Sequence, residues 1–271
     1  MSSANDRFRL DGQVAVVIGA TGVLGGAIAS GLAEAGAAVA VLGRNERRGE
    51  ARAQAILKAG GQAVFVICDA TDRDALELAR EQIRDGLGEP AVLVNAAGGN
   101  DPAVTVSEEL AVEEITAADW RRNFDLNLVG GVFLPCQAFG PTMRAAGSGS
   151  IINIASITAH VPLSKVVAYS AAKAGVVSLT RFLAREWAPQ VRVNSITPGF
   201  FPGEQNRRLL FNADGTPSER GEQILSHTPM ARFGEPEELV GAAVFLASPA
   251  ASLFITGEDL RVDGGFLATT I

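Results

Sequence analysis

The chain carries one tyrosine, two histidines and two cysteines among 271 residues, and these scarcities remove several kinds of protein at once. Cys68 and Cys136 are too few and too separated for a disulfide framework or a cysteine-rich metal site, so both read as buried thiols. No metal cluster is expected. No apolar stretch approaches the roughly eighteen residues that a membrane span needs. Met1 to Leu10 carries Asp6, Arg7 and Arg9 in place of an apolar leader core. The expectation is a cytoplasmic protein with no membrane partner. The net charge of −7, with its lysines and arginines dispersed, lacks the basic stripe of a nucleic-acid surface. A small anionic substrate is still allowed, because two or three local cations suffice to hold a carboxylate. Repeats, low-complexity tracts and a linker rich in Pro and Ser are missing too, and the length suits one undivided domain over residues 1–271.

Hydrophobic residues are plentiful, at 47%. They form short β-branched runs alternating with longer Ala-rich stretches of helical period, the pattern of repeated βαβ units. The pattern predicts strands at 14–18, 37–42, 63–67, 91–95, 150–155, 191–197 and 258–262. Helices are predicted at 23–35, 46–59, 72–85, 117–145, 168–188 and 236–247. The runs VAVVI, AVFVI and AVLVN are apolar throughout, as in parallel strands covered on both faces. An α/β fold with a doubly wound parallel sheet follows. The long irregular stretch at roughly 198–232 reads as a substrate lid with some helix of its own.

The first strand runs into Gly19, Ala20, Thr21, Gly22, Val23, Leu24 and Gly25, and then into a helical segment. Glycines there permit a tight turn and let backbone approach a pyrophosphate, whose charge is favoured at a helix N-terminus. The second strand ends in Gly43, Arg44 and Asn45, where an NAD enzyme places a carboxylate on the ribose hydroxyls. A guanidinium in that place suits a 2′-phosphate and favours NADP(H) over NAD(H), with Arg47 or Arg48 assisting. The other reading of Arg44 is a solvated residue at a helix entry. Asp69, followed by Ala70, either accepts from an adenine amino group or caps the next helix. Asn95, Ala96, Ala97 and Gly98 end the fourth strand with small residues against which a flat ring can lie. A plain turn would use such residues as well.

Tyr169 and Lys173 stand four apart on a predicted helix and so share a face, while Ser156 lies at the carboxyl end of a neighbouring strand. A free phenol has a pKa near ~10, and a nearby ammonium stabilises its phenolate. The three side chains together can exchange a proton with a substrate oxygen.

These pieces in this order resemble the short-chain dehydrogenase/reductase family over nearly the whole chain. The matching residues are the glycine turn, Asn95 to Gly98, Asn127 in NFDLNLVG, Ser156, YSAAK, Asn194 through Pro198 and Gly199, and the closing TGEDLRVDGG. The turn departs from the family pattern T-G-x-x-x-G-x-G, with Ile18 for the threonine and Val23 for the middle glycine. The resemblance implies a Rossmann sheet of order 3-2-1-4-5-6-7 and a catalytic set of Asn127, Ser156, Tyr169 and Lys173. Asn127 would hold a helix kink and a water relaying protons to Lys173. Tyr169, Lys173, Pro198 and Gly199 would also contact the dinucleotide. A homo-oligomer, dimer or tetramer, joined through helices 117–145 and 168–188 is implied.

Within the family, AAGGNDP, PGFFPGEQNRRLLF and ERGEQILSHTPMARFGEPEEL are similar to the branch of D-mannonate oxidoreductases, also called fructuronate reductases. That branch is NAD-linked, which opposes the reading of Arg44 and leaves the cofactor open. A sugar acid needs a cation and several hydroxyl partners. Asn100, Gln205, Asn206 and Arg207 are the candidates, with Lys165 and His160 behind them, while His227 and Arg232 are read as lid anchors. Other keto-sugars, polyols and 3-oxoacyl compounds are alternative substrates. An epimerase or dehydratase that returns its dinucleotide each cycle, and a non-catalytic dinucleotide sensor, are alternatives of another class.

Overall fold

The computed structural model describes residues 4–203 and 206–269. Seven strands form one parallel sheet: β1 (Val14–Ile18), β2 (Ala38–Gly43), β3 (Gln62–Ile67), β4 (Pro90–Asn95), β5 (Gly149–Ile154), β6 (Val191–Pro198) and β7 (Asp259–Val262). Their order is β3-β2-β1-β4-β5-β6-β7, so the chain reverses its direction of travel between β1 and β4. At that switch Ile18 pairs with Leu42 on one side and Asn95 on the other, and the crevice beyond the strand ends is where such sheets bind ligands.

The alternation hidden in the apolar strands shows in the packing. Ala15, Val17, Val39, Val41, Val92 and Val94 face α1 (Val23–Glu34), α2 (Glu46–Lys58) and α9 (Val240–Ala247). Val14, Val16, Ile18, Ala40, Leu42 and Leu93 face α3 (Arg73–Leu87), α5 (Leu134–Ala146) and α6 (Val167–Trp187). Both faces are covered, which is why the strands show no polar face in the sequence. Each fully buried Leu, Ile or Phe, such as Leu32 or Phe139, contributes about 1.5–3 kcal/mol.

Local signals set the helix ends. Asn45 caps α2 by accepting from Arg48 N at 2.9 Å, Asp72 caps α3, and Gly147 in the left-handed conformation closes α5. The helix predicted over 117–145 is not continuous. It runs as α4 (Ala117–Phe124), a π-helical segment over Asp125–Phe133, and α5. Asn127 lies within that wider segment and donates to Asn123 O at 2.9 Å. Apolar periodicity spans the join without a break, so only the family resemblance, with its kink at Asn127, pointed to it.

The stretch read as a lid holds two helices, α7 (Arg207–Leu210) and α8 (Glu219–His227), and an antiparallel bridge from Phe211 to Pro217. A third apolar cluster ties it down: Leu210 and Ile224 pack with Ile157 and Phe266. His227 stacks edge-on against Phe266, and Arg232 pairs with Glu238. A short helix, α10 (Pro249–Ser252), which the sequence pattern did not single out, precedes β7.

Candidate active site

The carboxyl ends of β1 to β6 open onto one cleft of about 850 Å³. At one end lies the glycine turn. Gly19 adopts a φ of +84°, and a Cβ there would stand 2.6 Å from Ala97 N and 2.7 Å from the Ala96 carbonyl carbon. A Cβ on Gly25 would stand 2.6 Å from Gly19 O. Only glycines let this turn lie flat against the exit of β4. Gly22 precedes α1 without a side-chain cap, so the first N–H groups of that helix, at Val23, Leu24 and Gly25, border the cleft unshielded. A backbone cradle at the start of a twelve-residue helix fits a pyrophosphate, and the residues therefore fit a dinucleotide. Val23, in place of the family glycine, is the first helical residue, and its side chain is 39% exposed, so the substitution costs no packing.

Arg44 stands at the end of β2 on the cleft wall, with its guanidinium 3.8 Å from Asp69. The pair is exposed and holds little stability of its own. Asp69 is raised by burial but held below the usual carboxylate range overall by hydrogen bonds from Thr71 and by Arg44. Its Oδ1 accepts from Thr71 N at 3.0 Å and from the Thr71 hydroxyl at 2.8 Å, so it shapes the turn after β3. Arg48 and Arg52, one helical turn apart on α2, join Arg44 on the wall. The Arg52 guanidinium lies so close to α1 that a Cβ on Gly26 would overlap it. Arg52 escaped the sequence reading, although its spacing of four from Arg48 was a usable signal.

At the other end Tyr169, Lys173 and Ser156 line the cleft together. Lys173 is 4% exposed, and its ammonium donates to Ile154 O at 2.7 Å and lies 5.6 Å from the Tyr169 ring centroid. Burial drives its pKa down to about 8. Burial raises the Tyr169 phenol, and a hydrogen bond with Ser156 pulls it back in part. Lys173 was expected to stabilise the phenolate; in the folded chain desolvation is the largest influence on the phenol, and the counteracting one comes from Ser156. Asn127 is fully buried. Its Oδ1 accepts from Gly99 N at 2.9 Å and its Nδ2 donates to Gly99 O at 2.8 Å, which clamps the loop after β4 onto the π segment. A Cβ on Gly98 would stand 2.6 Å from Asn127 Oδ1 and 3.4 Å from Lys173 Nζ, so the loop passes close to both.

Most residues expected at the cofactor line the cleft: Gly19, Thr21, Gly22, Val23, Leu24, Gly25, Arg44, Asp69, Ala70, Ala96, Ala97, Gly98, Pro198 and Gly199. Two do not. The side-chain oxygen of Asn45 is engaged as the α2 cap. Asn95 is turned into the sheet interior, donating to Asn153 Oδ1 at 2.8 Å and to Cys136 Sγ at 3.5 Å. Both cysteines are buried, and burial lifts Cys68 to about 11 and Cys136 to about 12.

The substrate candidates separate. Asn100 lines the cleft and donates to the Thr105 hydroxyl at 2.6 Å. Asn206 also lines it, but its Oδ1 accepts from Gly203 N and its Nδ2 donates to Phe201 O, so it shapes the loop. Arg207 is exposed, stacks over Phe211 at 5.4 Å and is off the cleft wall. Gln205 lies outside the described residues. Lys165 is exposed and His160 is held by Asp259, both off the wall. Among the described residues the cations on the wall are Arg44, Arg48, Arg52 and Lys173, and no cluster of His, Cys, Asp and Glu could hold a metal ion.

A glycine cradle for a dinucleotide and a Tyr/Lys/Ser group in one cleft, with the lysine buried, define a dinucleotide-dependent oxidoreductase. The family model described as enoyl-(acyl carrier protein) reductase matches residues 19–267. An uncharacterized oxidoreductase, UxuB of Bacillus subtilis, is 42% identical over 96% of each chain. The D-threitol dehydrogenase of Mycolicibacterium smegmatis is 40% identical over 96% of this chain and 94% of its own. A Haemophilus influenzae structure with bound NAD, provisionally described as a D-mannonate oxidoreductase, superposes with a TM-score of 0.91 at 35% identity over 99% of both chains. A Burkholderia cenocepacia gluconate 5-dehydrogenase with NADP and tartrate superposes at 0.88, with 34% identity over 99% of this chain and 100% of its own. The chain belongs to the short-chain dehydrogenase/reductase family and is an NAD(P)-dependent oxidoreductase acting on CH–OH groups.

Proposed function

We propose that this enzyme interconverts a secondary alcohol and a ketone on a polyhydroxy substrate, a sugar acid or polyol, with D-mannonate and D-fructuronate as the leading pair. The observation that carries the reading is that Tyr169, Ser156 and Lys173 line the same cleft as the glycine cradle. Tyr169 exchanges a proton with the substrate oxygen, and Ser156 donates to the same oxygen and fixes its place. Lys173 spends one donor on Ile154 O and keeps two for ribose hydroxyls and the proton path. Asn127 holds the loop after β4 and the π segment in register, with a water between it and Lys173 as the relay. A bound nicotinamide dinucleotide supplies or accepts the hydride. The stretch around 198–232 acts as the lid.

The substrate end of the cleft offers the Asn100 amide and no arginine among its described residues. An amide can pair with a substrate hydroxyl, so neutral polyols belong in the test beside sugar acids. Similar proteins include dehydrogenases named for the polyols D-threitol and galactitol and for the sugar acid gluconate. The deciding experiment supplies D-mannonate, D-gluconate, galactitol and D-threitol with NAD⁺ or NADP⁺ and follows reduced cofactor. Stoichiometric reduction with a sugar acid or polyol is expected. Silence across the panel overturns the assignment.

Arg44, Arg48 and Arg52 grouped at the adenosine end favour NADP(H). A charge-assisted hydrogen bond is worth about 1.5–3 kcal/mol, so Arg44→Asp should raise KM for NADP⁺ at least about tenfold and leave that for NAD⁺ little changed. Equal changes for both cofactors would remove Arg44 from this role. The proposed cytoplasmic protein is a homo-oligomer, dimer or tetramer, which accords with the exposure of Phe133 at 40% and Phe182 at 57% on its helical faces.

A further inference from the structure

Ser156 is carried by a short turn whose other end is anchored on a different strand. Its Oγ accepts from Thr158 N at 3.2 Å, and its carbonyl accepts from Ala159 N at 2.9 Å. His160 closes the turn, donating its backbone N–H to Ile157 O at 3.0 Å. The imidazole Nε2 of His160 lies 2.9 Å from Asp259 Oδ2, at the start of β7. Neither residue lines the cleft.

Asp259 is held before the imidazole meets it. Its side chain is 7% exposed and accepts from the Ser195 hydroxyl at 2.6 Å and the Thr197 hydroxyl at 2.8 Å, both residues of β6 being fully buried. An ionised carboxylate can only accept, so the hydrogen between the two side chains sits on Nε2, and a neutral imidazole is sufficient. A buried carboxylate costs free energy unless it is fully paired. Apolar packing of Ile157 and its neighbours already holds the turn down. What the pair adds is direction, because hydrogen bonds fix rotation where apolar contacts do not.

We propose that His160 and Asp259 form a positioning pair that fixes the turn after β5, and with it the hydroxyl that Ser156 presents to Tyr169. It rests on the reading that Ser156 and Tyr169 act together on the substrate oxygen.

The test uses the single tyrosine of the chain, whose ionisation can be followed by tyrosinate absorbance with no substrate present. The hydrogen bond from Ser156 favours the phenolate, so Ser156→Ala should move the titration of Tyr169 to higher pH. His160→Ala should move it in the same direction, and His160→Gln, which keeps a donor, should restore most of it. Should His160→Ala not fold, His160→Leu, which fills the space without a donor, takes its place. On a turned-over panel compound, His160→Ala should lower kcat about tenfold, with KM and dinucleotide affinity little changed. A His160→Ala protein that titrates like the parent overturns the proposal, and so does a Ser156→Ala protein that does. An inactive substrate panel with the expected titrations would instead count against the reading of the substrate alone.

Discussion

Tyr169→Phe should lower kcat by at least about 10³-fold while dinucleotide affinity stays essentially unchanged. The substitution removes one oxygen and leaves the ring and its packing in place. Chain length and the glycine cradle, which lies at the other end of the cleft, are untouched. General acid–base catalysis by one positioned side chain contributes typically about 10²–10⁴-fold, and no second phenol exists in the chain to replace it. The checks are steady-state kinetics on an active panel compound and fluorescence titration with reduced dinucleotide. Retained turnover would eliminate Tyr169 as the proton donor.

Lys173→Met should abolish most activity and yet stabilise the fold near neutral pH. The lysine is buried, and its pKa falls from the usual 10.5 to about 8. A lysine whose folded pKa lies below its unfolded value costs stability wherever it must be charged. Below pH 8 that cost is complete, about 3 kcal/mol for a displacement of this size. Between about 8 and 10.5 the unfolded chain binds more protons than the folded one, so the parent gains stability as pH rises through that window. The charge-assisted hydrogen bond to Ile154 O, worth about 1.5–3 kcal/mol, is lost in the variant and offsets much of the gain, leaving a small net stabilisation. Urea midpoints near pH 7 and again above pH 9 should therefore favour the methionine variant at first and converge later. A variant less stable than the parent at both pH values would show that Lys173 is not destabilised by burial. A buried cation with this cost points to a role that apolar packing could not fill.

Much of the architecture was readable because its causes are local. Continuous β-branched runs indicated parallel strands, and their predicted ends lie within one or two residues of the structure. The glycine turn was readable from its spacing after β1, and Tyr169 and Lys173 from their spacing of four. The π segment at Asp125–Phe133 was not readable from periodicity, because its apolar and small residues fall on every face; the family resemblance alone placed a kink at Asn127. Arg207 looked like a substrate cation by position, but α7 turns it onto Phe211. Asn95 and Asn45 looked like cofactor contacts, but one is engaged across the sheet and the other at a helix cap. Polar side chains near a strand end have several partners within reach, and only the folded chain selects among them.

The sequence by itself determined the parallel sheet, the dinucleotide turn and the phenol–ammonium pair, since backbone geometry and side-chain period dictate each of these over a few residues. Tertiary structure alone decided how those groups are tuned. It placed the Lys173 ammonium against Ile154 O and made desolvation the main influence on Tyr169. It brought Arg52 beside Arg44, and Asp259 from the end of the chain to His160 beside the Ser156 turn. Burial and contacts between distant segments arise only when the sheet assembles, and no periodicity along the chain records them.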